Sequence, residues 1–260
     1  MMRSLWTAAT GMEAQQMNMD VVAHNLANAN TTAFKRSRAN FEDLMYQNII
    51  PPGAETGTNA QIPTGIQIGM GVKTASVQKI FTQGNFTETG NELDLAIEGK
   101  GFFRVVRGTE EVYTRAGAFK LDSEGYIVDT EGNRLQPEIS IPRDAVTVNI
   151  DSQGTLNALD ASGTLLASGT ITIYDFPNPA GLLSLGKNYF APTEASGDAV
   201  EGQPGTEGFG TLLQGFLESA NINVVEEMVN MIAGQRAYEA NSKVIRTADE
   251  MLRIANNVAS

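Results

Sequence analysis

Residues 223–260, NVVEEMVNMIAGQRAYEANSKVIRTADEMLRIANNVAS, decide how this chain is built. Val224, Met231, Tyr238, Ile245 and Leu252 recur every seven residues, and Met228, Ala248 and Ala255 widen the stripe. That spacing puts apolar side chains on one face of a helix. Asn223 followed by Glu226 has the form of an N-capping box. Glu239 with Lys243, and Asp249 with Arg253, set opposite charges four residues apart. The pattern predicts a helix from Val224 to Asn257, about 50 Å long. A helix of that length exceeds what a globular domain usually uses and needs a partner surface.

The opening of the chain offers such a surface. Leu5, Met12, Met19 and Leu26 also stand seven apart, with Ala8, Ala9, Val22 and Ala23 beside them. Gly11 costs about 1 kcal/mol of helix propensity relative to alanine, and Trp6 supplies a large packing group near the start. The two amphipathic ends are expected to come together, through an intrachain coiled coil or through packing in a larger assembly. The first helix should end in the Asn-rich stretch around Asn25, Asn28 and Asn30, whose side chains compete for backbone hydrogen bonds. His24 lies there, but the chain has one His and no Cys, so no familiar metal or catalytic set is completed. A helix terminus or interface is the expectation.

Between the ends the chain changes character. Residues 47–66, QNIIPPGAETGTNAQIPTGI, carry three prolines among Gly and Thr and suit an extended loop or short edge strands. From about Ile68, β-branched runs such as GVKTASVQKIF, LDLAIEG, GFFRVV, EVYTRAGAFKL and GYIVDT alternate with Gly-centred turns and read as strands. Four Asp-x-x-Gly sequences, starting at Asp122, Asp129, Asp151 and Asp160, are expected to reverse the chain. None has the ligand pattern of a calcium loop. EGKGFFRV lacks the context of a nucleotide-binding glycine loop; Gly99 and Gly101 are read as allowing close approach beside Phe102 and Phe103. The segment GTITIYDFPNPAGLLSLGKNYF is read as the last substantial strand region, followed by a flexible run over 191–210.

A net charge of −12 argues against broad affinity for nucleic acid. The 42% hydrophobic content and 260 residues permit a sizeable core. Without Cys there are no disulfides and no thiolate chemistry. No run of about 18 apolar residues supplies a membrane span, and the opening lacks the pattern of a cleaved secretory signal. The sequons at Asn30 and Asn85 are weak signals.

At the level of motifs the chain resembles the flagellar basal-body rod and hook axial proteins. HNLANANTTAFKR matches their NNLAN-type opening with His24 in place of the first Asn; GFF, YTRAGAF and QRAYEANSKVIRTADEML are similar to later family segments. Length and the 47–66 stretch are most like the distal rod members. Ala33 stands where the family often has Gly, and a positive φ there would disfavour Ala.

The resemblance implies a non-enzymatic structural subunit of the distal rod in the bacterial flagellum, needing no cofactor. It would self-assemble as a helical homo-polymer that transmits motor torque for motility. Its implied partners are proximal rod proteins, the hook protein, the surrounding P-ring and L-ring and the flagellar type III export apparatus, with no nucleic acid. It would be made in the cytoplasm, exported without a cleaved signal peptide, and sited across the periplasm toward the outer membrane. The expected fold is mixed α+β: a discontinuous terminal helical domain formed by both chain ends, enclosing an inserted β-rich domain. Its expected divisions are 1–46, 47–66, 67–210 and 211–260. Inter-subunit packing is assigned to Leu5, Met12, Met19, Leu26, Val224, Met231, Tyr238, Ile245 and Leu252. Glycan hydrolysis and glycan binding are the competing readings; the first would need paired carboxylates at defined separation.

Overall fold

The computed structural model describes residues 2–51, 55–57, 60–61 and 64–259. The expected 47–66 connector thus falls in part on residues 52–54, 58–59 and 62–63, which lie outside the described residues. The chain divides into two compact units: Met1–Ala27, Ser37–Lys79 and Asn223–Ser260 form one, and Asn28–Arg36 with Ile80–Ile222 form the other. A terminal helical unit made from both chain ends, flanking a β-rich unit inserted in sequence, is therefore the architecture.

In the terminal unit, helix α1 spans Met2–Ala27 and helix α2 spans Val224–Ala259. Asn223 caps α2 as its spacing suggested: its Oδ1 accepts from the N–H of Val225 at 3.1 Å and of Glu226 at 3.4 Å. The helices run antiparallel. Gly11 faces Asn241, Gly234 faces Met19 and Gln15, and Asn25 meets Glu227. Small residues set this spacing: a Cβ on Gly11 would lie 2.9 Å from Asn241 Nδ2, so the glycine that weakens the helix lets its partner approach. Ala8, Ala14 and Val22 of α1 and Glu227 and Ala248 of α2 are buried along the seam.

The rest of this unit is a two-stranded ribbon. Ser37–Asp43 pairs antiparallel with Val72–Lys79, from Ser37 opposite Lys79 to Asp43 opposite Val72, and Tyr46–Ile50 pairs with Ile66–Gly69. Buried Asn25 fastens the end of α1 to the start of the ribbon. Its Oδ1 accepts from Ser37 N–H at 2.8 Å, while its Nδ2 donates to Ser37 C=O at 2.9 Å and to Glu227 Oε2 at 3.3 Å. The strand 72–79 was legible from its β-branched residues, but its partner was not, because SRANFED alternates no apolar face.

The β unit centres on a seven-stranded antiparallel sheet. Its order is Lys120–Leu121, Ile127–Val128, Arg134–Gln136, Phe103–Arg107, Glu110–Thr114, Tyr189–Ala191 and Leu183–Gly186. A three-stranded sheet, Thr147–Ile150, Thr155–Leu159 and Leu165–Thr170, packs into the same core, which includes Leu95, Ile97, Phe103, Phe119, Leu135, Leu156 and Ile173. Phe103 and Phe119 meet edge to face at 5.2 Å. All four Asp-x-x-Gly sequences are turns: Gly125, Gly132, Gly154 and Gly163 donate to the carbonyls of Asp122, Asp129, Asp151 and Asp160 at 2.9–3.1 Å, each with φ near +80°.

Strand structure continues beyond the region expected to be its last. Val200–Gly202 pairs with Ile173–Asp175, Thr211–Gln214 with Leu95–Glu98, and Phe216–Glu218 with Phe86–Glu88. Pro and Gly between short strands had disguised this segment as a flexible run. The β unit also holds Asn28–Arg36, where Ala33 adopts φ +56° and donates its N–H to Glu218 C=O at 2.7 Å. A left-handed alanine costs about 1–2 kcal/mol. Ala33→Gly should therefore stabilise the β unit by about 1 kcal/mol after the entropy of glycine is set against the relief, read as a thermal midpoint higher by about 2–4 °C.

Candidate interface helices and a buried ion network

Among the described residues, no group of three or more His, Cys, Asp or Glu converges to hold a metal ion. His24 is exposed. The distinctive surfaces and charges lie instead in the faces of α2 and in one buried charge cluster.

The seven-residue stripe straddles the helix seam. Leu5, Met12, Met19 and Leu26 of α1 and Met231 and Ile245 of α2 are half-buried, whereas Val224, Tyr238 and Leu252 are exposed. A second apolar stripe, Val225, Met228, Val229 and Ile232, occupies the face of α2 turned away from the seam residues Glu227, Gly234 and Asn241. These four are 50–70% exposed. Only Met228 stood out in the heptad reading; the others follow from the 3.6-residue period once the α1-facing side is known. Exposed Met45, Tyr46, Ile49, Ile66 and Ile68 add apolar surface on the ribbon. A two-stranded ribbon is marginal by itself in water, so such side chains favour a covering partner.

In the β unit, Glu218 is buried between two cations. Lys35 Nζ lies 2.7 Å from its Oε1 and Arg115 Nε 3.0 Å from its Oε2. The N–H of Gly84 donates to Oε1 at 2.8 Å. Lys35 also donates to Thr82 C=O at 2.8 Å, and Arg115 reaches Gly101 C=O at 2.7 Å, Gly99 C=O at 2.8 Å and Ile97 C=O at 3.2 Å. Burial by itself would raise the Glu218 carboxyl, but Arg115 and Lys35 outweigh it and hold the group below the ordinary carboxylate range. For Lys35 burial dominates: the ammonium is pushed down from its usual value despite Glu218, with Arg115 adding repulsion. The opposite balance follows from one carboxylate serving two cations. Lys35 and Arg115 lie in AFKR and YTRAGAF, the strings that carried the resemblance. No spacing connects them to Glu218, since pairs 183 and 103 residues apart meet only through the fold.

Comparison with known proteins agrees in all three regions. Residues 5–35 match the family model described as flagella basal body rod protein, 96–158 that of the flagellar hook protein FlgE/F/G D1 domain, and 213–258 that of the flagellar basal body rod FlgEFG protein C-terminal. The chain is 47% identical over 263 residues to the flagellar basal-body rod protein FlgG of Borreliella burgdorferi, covering 99% of each chain. It is 45% identical over 262 residues to FlgG of Caulobacter vibrioides, covering all of both. FlgG of Buchnera aphidicola subsp. Schizaphis graminum is 45% identical over 255 residues, 97% of this chain and 98% of that protein.

Proposed function

The chain belongs to the flagellar basal-body rod protein FlgG family, and from that premise we propose that it builds the distal rod as a helical homo-polymer carrying motor torque to the hook and filament. Membership makes it a structural, non-catalytic component of the basal-body rod that assembles into the flagellar axial structure. Among the described residues no helix is long and apolar enough to cross a membrane.

The observation that carries the polymer reading is the apolar face of α2 opposite its seam with α1. Val225, Met228, Val229 and Ile232 fit the packing surface of a neighbouring copy, with a repeated non-closing contact generating a helix. Val224 borders this surface, while the other heptad residues, Leu5, Met12, Met19, Leu26, Met231, Tyr238, Ile245 and Leu252, run along the seam of α1 with α2, whose exposed edges offer a second packing surface to a neighbouring copy. Contacts between copies would give the axis its resistance to sliding and bending.

Charge supports a division of labour. The β unit carries twenty Asp and Glu against ten Lys and Arg, whereas the terminal unit carries ten against eight. Repulsion between copies is concentrated on the β unit, leaving the terminal unit as the side suited to close packing. In this reading the β unit faces the P-ring and L-ring, the proximal rod and the hook protein adjoin the two ends of the polymer, and residues 47–66 stiffen contacts between copies. Delivery would be through the flagellar type III export apparatus into a rod crossing the periplasm.

Tyr238→Asp tests the assignment. An isolated charge on the exposed edge of the helix seam should abolish polymerisation or weaken it at least about tenfold, measured by sedimentation of purified chain, while the β unit keeps its near-ultraviolet circular dichroism. Unimpaired polymers, or a collapsed β unit, would contradict it.

A further inference from the structure

The chain passes between its two units at residues 27/28, 36/37, 79/80 and 222/223, and on the β-unit side these passages are tied to one another. Lys35 and Ala33 hold Glu218 through its side chain and its C=O, both at 2.7 Å. Asn221 takes the next position: its Oδ1 accepts from Arg36 N–H at 2.7 Å, and its Nδ2 donates to Ile80 C=O at 2.8 Å, Thr82 C=O at 3.1 Å and Thr82 Oγ1 at 2.9 Å. Ile80 N–H donates to Arg36 C=O at 2.9 Å, and Gly84 N–H to Glu218 at 2.8 Å. Three segments, 28–36, 80–84 and 216–222, are thereby joined side by side.

We propose that the network around Glu218 and Asn221 is the mechanical tie of the subunit, passing force directly between the roots of its connections so that the sheets beyond it stay off the load path. This rests on the rod reading and names the residues through which that function runs. Force entering at residue 28 or 36 meets, within a few residues, charge-assisted bonds to the strand that leads into α2, and parallel bonds of this kind share a load. The covalent route between the same points runs through 183 residues. Coupling between distant points follows contiguous packed and hydrogen-bonded groups; on the β-unit side this cluster is the short link, the counterpart of the one Asn25 makes to Ser37 and Glu227 in the terminal unit. The three-stranded sheet over 147–170 lies outside it: Leu156 is fully buried in the core and takes no part in the tie.

The test replaces the rod subunit of a flagellated host with full-length Lys35→Met or Asn221→Ala and follows single-motor rotation against beads of increasing size. Lys35→Met leaves Arg115 paired with Glu218, and Asn221→Ala removes a half-buried amide, so two independent cuts are made in the tie. At low load both variants should rotate like the unaltered chain; at high load their speed should fall about twofold or more. Leu156→Ala, a larger loss of core packing, should leave the speed–load curve unchanged. Full rotation of both tie variants at high load, or an equal loss with Leu156→Ala, would overturn the proposal. Collapse of the β unit in both variants would also overturn it, by making the network part of the core. Absence of the unaltered chain from purified basal bodies would instead overturn the rod reading and the tie's role with it.

Discussion

Glu218→Ala should unfold the β unit at conditions where Lys35→Met leaves it folded. Removing the carboxylate strands two buried cations, and uncompensated buried charge of this kind costs about 3–5 kcal/mol. Removing Lys35 leaves Arg115 and Glu218 as a balanced pair 3.0 Å apart, with Arg115 still bonded to the carbonyls of Gly99 and Gly101. The expected cost is about 1.5–3 kcal/mol, that of a hydrogen bond to a charged group. Urea unfolding followed by near-ultraviolet circular dichroism separates the two; equal midpoints would refute the charge balance. The same carboxylate sets the acid limit. Its folded value is depressed, so its contribution is complete above the ordinary carboxylate range and is lost as pH falls through that range and then through the lower folded value. The gap between Glu218→Ala and the unaltered chain should therefore narrow on acidification.

Gly117→Ala should be the most damaging glycine substitution among the described residues, with a loss above about 4 kcal/mol. A Cβ at Gly117 would lie 1.6 Å from Leu95 C=O oxygen and 2.7 Å from its carbon. Both obstacles are backbone, so no rotamer change relieves them. Leu95 N–H donates to Gly117 C=O at 2.9 Å, so separating the segments breaks that bond and shifts the strand Leu95–Glu98 out of the core. Arg115, two residues away, would leave its place beside Glu218. Soluble expression and a cooperative thermal transition are the readouts; Gly132→Ala, in a turn where a Cβ meets nothing within 4 Å, is the comparison and should lose only the cost of its positive φ. A normal transition for Gly117→Ala would mean that the close approach is not needed.

What the sequence showed and what it hid divide along physical lines. Helix α2 was legible to within a few residues because Asn223, the seven-residue stripe and the charge pairs all encode local geometry. The Asp-x-x-Gly turns were legible for the same reason. The choice of ribbon partner for Val72–Lys79 was not, since strand pairing is a long-range choice and Ser37–Asp43 carries no apolar alternation. The surfaces of α2 proposed to meet a neighbouring copy were only half visible: Val224 and Tyr238 belong to the heptad, while Val225, Val229 and Ile232 are defined by where α1 already lies. The Glu218 network was invisible altogether. Lys35 is 1% exposed, and a buried Lys is recognisable only once its carboxylate is found. Ala33 went the other way: alanine in place of the family's glycine argued against a positive φ, yet φ is +56°.

The most direct measurement is a high-resolution helical reconstruction of the assembled polymer of this chain. The account predicts Val225, Met228, Val229 and Ile232 buried against a neighbouring copy, with the acidic β units outermost. A polymer held together through its β units, with that face of α2 open to solvent, would contradict it.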